Sequence, residues 1–413
     1  MLKLNFSKSY LYFVLARVVG LLVKPLFLMF LLKNGMENDA AILSKVFLLL
    51  GGVFVVYHVP VHFEYYKLYF EEAHSFVGLR RVFYNYIKYL TCHVYLVIPV
   101  VFVISYVIVN DLFFALLMTF YLLTEKLFDE IQRFFQFTKD FTSWSNIFLL
   151  KTIVPVFVSL IYIEFGFKHS IVFFIIVTIM SIMVILLKNI HIGLLIYIIK
   201  KIVFKIQLRD FVQYLALLKR KYFSKFLQGI STSNILNIDK WLAAIFYSKS
   251  LLSELTLMSQ ISNSIAVGMN YATIANRRSD LMKSTNTLSS LMLGWKVPFI
   301  AFTLFLIVIG LVLNVDLISG NLKEFSVNMV IFLVLSYTVY AISEPLTEYL
   351  FWNAPMKTLL RLDGMYFGFM VISGLILYMN GNYSQIPVYF LIAHLFRCSI
   401  QILLVYKMEK HAK

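Results

Sequence analysis

Charged residues are scarce in this sequence. Only 14% of its 413 residues are Asp, Glu, Lys or Arg, whereas soluble domains average about a quarter. Hydrophobic residues make up 61% of the chain and include 40 Phe and 26 Tyr. This composition excludes an ordinary soluble domain. It predicts an all-α polytopic membrane protein with aromatic belts at the bilayer surfaces.

Cysteine is rare, and motifs for nucleotide chemistry are absent. Cys92 and Cys398 both fall in apolar segments and predict no disulfide framework. The sequence contains no G-x-x-x-x-G-K-[ST], which excludes a P-loop ATPase within the chain. We therefore expect no catalytic residues, no bound metal and no cofactor.

Acidic residues are outnumbered, with 21 Asp and Glu against 37 Lys and Arg, for a formal net charge of +16. Such an excess suggests a nucleic-acid partner at first sight. The basic residues, however, cluster between apolar segments, where membrane topology explains them. We therefore expect no nucleic-acid partner.

Apolar runs of about 20 residues predict twelve membrane spans. They are 9–32, 41–62, 90–109, 111–128, 144–165, 170–188, 223–247, 251–275, 296–314, 326–349, 357–379 and 386–406. Lys and Arg are concentrated in alternate loops, which predicts that both termini are cytoplasmic.

The chain divides into two predicted halves around a basic segment. Residues 1–188 form an N-terminal six-helix half, 189–222 a cytoplasmic amphipathic linker, and 223–413 a C-terminal six-helix half. The alternative for 190–206 is a thirteenth span rather than an interfacial helix. Two six-helix halves around a central cavity are a common transporter plan.

Two cations interrupt the first span, "LYFVLARVVGLLVKPLFLMFLL". A charge at the bilayer centre costs from roughly 3 to more than 10 kcal/mol, so Arg17 and Lys24 need compensation. Seven residues are almost two helical turns, which places both on one face. With Arg397 of span twelve, they outnumber the acids predicted at mid-depth, Asp239 and Glu254. The surplus positive charge indicates an anionic ligand.

Spans seven and eight are unusually polar. Ser259, Asn263 and Asn270 fall at helical spacing in span eight, so their side chains either bond to neighbouring helices or line a wet cavity. The stripe runs over several turns, and we favour the cavity. Asp239 and Glu254 are candidates for ion coupling, with ion pairing as the alternative.

The chain resembles the polysaccharide flippases (Wzx-type) of the multidrug/oligosaccharidyl-lipid/polysaccharide (MOP) exporter superfamily. The resemblance covers the whole length. It rests on span one, on "LFDEIQRFFQFTKDFTSWSNIFLLKTIVP" between spans four and five, and on "NILNIDKWLAAIFYSKSLLSELTLMSQISNSIA" in spans seven and eight. The loop after span two departs from the family pattern, with the aromatic "HFEYYKLYFEEAHSFVGLRR" in place of a small turn.

The resemblance implies a function in surface polysaccharide biosynthesis, such as that of lipopolysaccharide O-antigen or capsule. The substrate would be a polyprenyl-pyrophosphate-linked oligosaccharide, moved by alternating access from the inner to the outer leaflet of the bacterial inner membrane. Its cationic, polar cavity would use Arg17, Lys24, Asn263, Asn270 and Arg397. The implied partners are membrane lipids, a polysaccharide polymerase and other assembly proteins.

Two alternatives remain open. A drug or small-solute exporter of the same superfamily would share the fold. A membrane-embedded glycosyltransferase or polymerase would use an acidic pair such as Glu37 and Asp39 in "MENDA", although the loop there is short.

Overall fold

A computed structural model describes residues 8–57, 76–137, 140–167, 169–189, 206–269, 296–314 and 326–412. Every regular element within those ranges is helical. In chain order the helices are α1 (Lys8–Lys33), α2 (Glu37–Leu48), α3 (Phe76–Val109), α4 (Leu112–Phe137), α5 (Phe141–Glu164), α6 (Ser170–Asn189), α7 (Leu208–Leu217), α8 (Phe223–Ile235), α9 (Ile238–Phe246), α10 (Lys249–Met269), α11 (Lys296–Asn314), α12 (Val327–Asn353), α13 (Met356–Met379) and α14 (Ile386–Ala412).

Eight helical stretches are long and apolar enough to cross a membrane, and they coincide with eight predicted spans. They are Tyr12–Lys33, Glu37–Tyr57, Tyr86–Val109, Phe141–Glu164, Ser170–Lys188, Val327–Thr347, Lys357–Met379 and Tyr383–Met408. The chain is therefore a multi-pass membrane protein.

Within the described residues, the other four predicted spans are mostly helical, but none is among the eight stretches above. Helix α4 covers 111–128 yet buries Glu125 and Lys126. The predicted span 223–247 is not one continuous helix, because it is divided into α8 and α9. Helix α10 is polar, and α11 contains an apolar stretch at Ile300–Gly310. The number twelve, the two six-helix halves and the cytoplasmic termini remain predictions.

Tight turns connect several consecutive helices. Gly35, Asn110 and Gly381 have φ values of 69°, 57° and 67°. They join α1 to α2, α3 to α4 and α13 to the turn before α14. Gly and Asn adopt this left-handed conformation more easily than other residues. The conformation ends a helix and lets the chain turn within a few residues. Three connections between consecutive predicted spans are therefore short turns.

The helices group into two compact units. Unit 1 comprises Met1–Gly20 and Leu48–Ser233, and unit 2 comprises Leu21–Phe47 and Asn234–Lys413. In unit 1, α5 packs against α6, and α4 contacts α3, α5 and α6. In unit 2, α12 is the central helix and packs against α10, α11 and α14. The predicted boundaries at 188 and 222 stay a prediction.

Many apolar side chains remain exposed on the helices. On α3, Val100, Val103 and Val107 are 50%, 57% and 69% exposed and share one helix face. A monomeric soluble protein rarely exposes such a continuous apolar surface. In a bilayer this face would contact lipid chains at no cost.

Candidate functional site

Arg17 lies beside two aromatic rings of unit 1. Its guanidinium carbon is 4.9 Å from the centre of the Trp144 ring and 5.1 Å from that of Phe148, both on α5. These rings stack with centroids 4.9 Å apart. Cation–π contacts contribute about 0.5–2 kcal/mol, less than the cost of burying the charge. The buried Nε atom has no hydrogen-bond partner among the described residues, so Arg17 keeps donor capacity for an anion.

Gly20 allows Phe148 to approach α1 closely. It lies three residues after Arg17, on nearly the same helix face. A Cβ atom at this position would stand well inside contact distance of the Phe148 ring. The absence of a side chain at Gly20 therefore helps to position the ring that contacts Arg17.

Lys24 also has an aromatic neighbour, in unit 2. Its ammonium nitrogen lies 5.6 Å from the centre of the Phe47 ring on α2, and the side chain is half-buried. Pro25 follows within the helix and cannot donate the backbone hydrogen bond of that turn. Both cations of span one thus contact aromatic rings, and their place on a substrate path stays a prediction.

The break between α8 and α9 frees two backbone carbonyls in unit 2. Tyr366 donates its hydroxyl hydrogen bond to the Ile235 carbonyl over 3.1 Å. The Leu236 carbonyl accepts from the Lys240 ammonium at 2.5 Å and from the Tyr337 hydroxyl at 3.3 Å. Buried carbonyls without partners are costly, so side chains from α9, α12 and α13 stabilise the broken helix.

Asp239 and Lys240 are buried next to this break. The ammonium nitrogen of Lys240 lies 3.6 Å from Asp239 Oδ1, and the Lys240 backbone N–H donates to the same oxygen at 2.8 Å. Oδ2 of Asp239 is buried without a hydrogen-bond partner among the described residues. These contacts support the ion-pair alternative for Asp239. A coupling role for it stays a prediction.

The polar face of α10 is packed where it meets α9. Ser259 accepts a hydrogen bond from Lys240 at 3.2 Å and donates one to the Thr256 carbonyl at 3.1 Å. Ser259 is therefore a packing residue and does not face a wet cavity. Asn263 is half-buried one turn further on, and Asn270 lies outside the described residues.

Glu254, the second coupling candidate, is buried on α10. Its carboxylate lies 3.4 Å from the Ser250 hydroxyl, which donates to it. Ser250 precedes Glu254 by one helical turn, so this bond is local and does not need a partner helix. The contact neither requires nor prevents ion coupling through Glu254, and the assignment stays a prediction.

Arg397 has a counter-charge within unit 2. Its Nε donates to Asp363 Oδ1 over 3.3 Å, and both side chains are 1% exposed. Thr347 accepts hydrogen bonds from Arg397 and Gln401. The count of mid-span acids made from the sequence omitted Asp363, although it lies within predicted span eleven. Arg397 therefore needs no external anion for neutrality, and its assignment to the cavity loses that support.

Helix α4 holds a second group of buried charges that sequence reasoning missed. Glu125 pairs with Lys151 of α5, and Lys126 pairs with Glu130 one turn along α4. The Lys151 ammonium also lies 4.4 Å from the Phe128 ring centre. The "TEKLFDE" run in span four was the available signal. Alternating charge signs at helical spacing predict ion pairs.

The linker helix α7 is attached to α3 around His93. The Nε2–H of His93 donates to the Val56 carbonyl over 2.7 Å, because a carbonyl oxygen only accepts. In the neutral ring, Nδ1 then accepts from the Tyr214 hydroxyl at 2.6 Å. Burial raises the pKa of the Tyr214 hydroxyl, which keeps its proton. His93 thus joins the end of span two to the linker, a role the sequence did not reveal.

A salt bridge reinforces this attachment. The Lys88 ammonium lies 2.6 Å from Asp210 Oδ1. The backbone N–H of Gln207, which donates to Asp210, and the Lys88 charge both lower the pKa of the Asp210 carboxyl. The exposed face of α7 carries Leu208, Val212 and Leu215. The structure thus contains a helix at 208–217, its amphipathic linker role stays a prediction, and 190–205 lies outside the described residues.

Glu37 and Asp39, the acidic pair considered for transferase chemistry, occupy the first turn of α2. Carboxylates at this position interact favourably with the helix dipole. Within the described ranges, no group of three His, Cys, Asp or Glu side chains is arranged to hold a metal. Stabilising the start of α2 is therefore a sufficient structural role for Glu37 and Asp39.

Comparison with known proteins identifies the fold but no closer family. No protein-family model matches the chain, and no curated protein matches it in sequence. A solved structure described as "Inward-facing conformation of a multidrug resistance MATE family transporter of the MOP superfamily" matches with a TM-score of 0.53 and 14% identity, over 100% of this chain and 98% of that one. "Crystal structure of MATE in complex with MaL6" matches with a TM-score of 0.41 and 13% identity, over 98% and 97%.

The first match shows that the chain has the fold of MATE transporters of the MOP superfamily. The all-helical transporter fold that the resemblance implies is thereby supported, while the twelve spans in two halves stay a prediction. At 14% identity the likeness concerns the fold alone.

Proposed function

We propose that this chain is a MOP-superfamily transporter for polyprenyl-pyrophosphate-linked oligosaccharides, moving them outward across a bacterial inner membrane during surface polysaccharide assembly. The observation that carries the proposal is Arg17. Its guanidinium lies beside the Trp144 and Phe148 rings, and its buried Nε is without a partner among the described residues. A planar guanidinium with unused donors suits a phosphate oxyanion.

Lys24 provides the second cation of this proposal. It lies seven residues along the same helix, so a pyrophosphate leaving Arg17 would meet it on the same face. A flexible ammonium suits a transient contact, because it binds phosphate as a point charge without a fixed fork. The assembly partners, including a polymerase, are proposed on the same basis.

The membrane potential is a sufficient source of energy for this transport. Moving one negative charge outward across an inside-negative membrane yields about 2.3 kcal/mol per 100 mV. A pyrophosphate with about two charges therefore yields roughly 5 kcal/mol. Coupling to an ion through Asp239 or Glu254 would add to this amount but is not required.

The experiment replaces the two cations and measures surface glycan at equal protein abundance in the membrane. Arg17→Ala should lower export about tenfold to a hundredfold, the effect of losing a charged hydrogen bond. Arg17→Lys should also impair export, because the planar fork is lost. Lys24→Arg should be tolerated better than Lys24→Ala. Lys33→Gln, at the exposed end of the same helix, is the matched control and should export normally.

A double Arg17→Ala, Lys24→Ala variant with normal abundance and normal export would contradict the proposal. Reduced abundance in Arg17→Ala, restored together with export in a stabilised background, would indicate a structural role for the arginine instead.

An exporter of cationic drugs is the second candidate function. The fold likeness to a multidrug transporter supports it, as do the buried carboxylates of Asp239 and Glu254, which are suited to cations. Resistance to cationic dyes, lost in Asp239→Asn or Glu254→Gln and kept in Arg17→Ala, would favour this candidate over the flippase.

A further inference from the structure

Unit 2 contains an apolar cavity of about 380 Å³ at one end of its helix bundle. Its walls come from the end of α12, the start of α13 and the end of α14. They include Leu350, Ala354, Pro355, Leu404, Lys407 and Met408. The volume lies at the lower end of the range for small-ligand sites.

The cavity arises where the chain reverses between α12 and α13. Pro355 cannot continue a helix, so α12 ends at Asn353 and α13 begins at Met356. The reversal leaves space above a core cluster that includes Tyr349, Leu359 and Cys398. The walls of the cavity are thus a continuation of the apolar core.

The position of the cavity matches the boundary between lipid and water. The apolar span of α12 ends at Thr347, that of α13 begins at Lys357, and that of α14 ends at Met408. The cavity residues other than Ala354 and Pro355, which lie in the turn between α12 and α13, are within four residues of these limits. Leu403 and Tyr406, next to the lining residues on α14, are exposed apolar side chains that would face lipid.

Four cations lie within three residues of a residue that lines the cavity, or line it themselves. Lys407 lines the cavity, and Lys357, Arg361 and Lys410 are exposed nearby on the same two helices. None of the four forms a salt bridge with a carboxylate whose side chain the structure describes. A basic rim over an apolar cavity at the membrane boundary is complementary to an anionic lipid, whose chain is apolar and whose headgroup is a phosphate.

We propose that this cavity binds an anionic phospholipid, with an acyl chain against Leu350, Leu404 and Met408 and the phosphate at Lys407. The single hydroxyl of Thr358 is the other polar group in the wall. This sparse polar lining suits a simple phosphate headgroup and offers little to an oligosaccharide. The bound lipid links α12, α13 and α14 and stabilises their junction, because it binds only the folded unit. The proposal does not depend on which substrate the protein transports.

The test uses the full-length protein, purified in detergent and freed of lipid, with phosphatidylglycerol as the probe and phosphatidylcholine as the comparison. Native mass spectrometry counts bound lipids, and a melting curve reports stabilisation. The wild type should retain phosphatidylglycerol in preference and melt at a higher temperature with it. Lys407→Gln should weaken phosphatidylglycerol binding about fivefold, the effect of one cation near an anionic lipid.

Leu404→Trp fills the cavity and should reduce phosphatidylglycerol retention at least about tenfold. Leu403→Trp is the matched control, because Leu403 is 66% exposed on the neighbouring face. It should bind as the wild type does. If Leu404→Trp does not fold, Ala354→Leu narrows the same cavity and should give the same loss.

Three results would overturn the proposal. The first is equal retention of phosphatidylglycerol by the cavity-filling variant and the Leu403→Trp control. The second is equal binding of phosphatidylcholine and phosphatidylglycerol by the wild type. The third is displacement of phosphatidylglycerol by an equimolar polyprenyl phosphate, lost in Leu404→Trp, which would assign the cavity to the carried lipid.

Discussion

Arg397 and Arg17 both lie within membrane spans, yet their surroundings differ. Arg397 is fully buried with Asp363 and hydrogen-bonds Thr347. Arg17 is half-buried beside two aromatic rings. A buried ion pair is costly to break, because removing one partner leaves an uncompensated charge. Arg17, in contrast, has no ion pair with a carboxylate among the described residues.

The Asp363–Arg397 pair predicts a strongly non-additive pair of substitutions. Asp363→Leu alone should lower the free energy of unfolding by about 3–5 kcal/mol, since Arg397 stays charged and buried. The double variant Asp363→Leu, Arg397→Met should be more stable than Asp363→Leu, because it removes both charges. The measurement is a double-mutant cycle from reversible unfolding in detergent.

The control is Lys188→Gln, at an exposed position at the end of α6, which should change stability by less than about 0.5 kcal/mol. Additive effects would contradict the pairing.

Gly20 predicts a second effect at the residue scale. In Gly20→Ala the new methyl group meets the Phe148 ring, and the ring or the helix must shift at a cost of about 1–3 kcal/mol. The midpoint of thermal unfolding should fall. Gly374→Ala is the control, because its Cβ would lie 2.7 Å from a methyl carbon of Leu242, an atom at the end of a flexible side chain. A larger loss for Gly374→Ala would show that the ring contact is unimportant.

Among the helices, the break between α8 and α9 could not be predicted from the sequence. The composition of 223–247 predicts one polar span. The interruption depends on Tyr337 and Tyr366, which lie about one hundred or more positions away and bond the freed carbonyls. The sequence contains one local signal, Asn234, because Asn weakens helices. In the structure, Asn234 accepts a hydrogen bond from Trp241 across the break. Only the tertiary contacts decide that the helix divides.

The ion pairs of helix α4, in contrast, were partly predictable from the sequence. Its charges are visible in the sequence, and their pairing at helical spacing could be predicted from positions 126 and 130 alone. The bond between Glu125 and Lys151 could not, because it joins different helices. The eight apolar spans were predictable, since apolar length alone determines them. Contacts between polar side chains of separate helices were not.

The linker helix α7 predicts a pH-dependent attachment to α3. The pKa of Asp210 is lowered in the folded protein, so its charge contributes stability above the unfolded value, 3.8. That contribution is lost as the pH falls through the lower folded value. Amide exchange in 208–217, corrected for intrinsic rates, should therefore accelerate as the pH falls below about 4.

Asp210→Asn is the control for this measurement. It should exchange faster than the wild type at neutral pH and show no further change on acidification. An unchanged rate in the wild type across the range would mean that the Lys88–Asp210 pair contributes nothing to the attachment.

For the whole molecule, the alternation of basic loops predicts cytoplasmic termini and twelve spans. Reporter fusions provide the measurement. The fusion points expected outside are Asn38, Asn110, Asn321 and Asn382, and those expected inside are Arg80, Lys205 and Arg278. The positive-inside rule is the physical basis. Two or more reversals would contradict the six-plus-six arrangement.

The central claim is that the substrate is an anionic lipid-linked glycan. The most direct measurement reconstitutes the purified protein in vesicles and follows a fluorescent polyprenyl-pyrophosphate-linked oligosaccharide between leaflets, under membrane potentials of either sign. Transport should be faster when the potential draws negative charge outward, and it should be lost in the Arg17→Ala, Lys24→Ala variant. Transport of a cationic dye by the same vesicles, with no movement of the lipid-linked glycan at either potential, would contradict it.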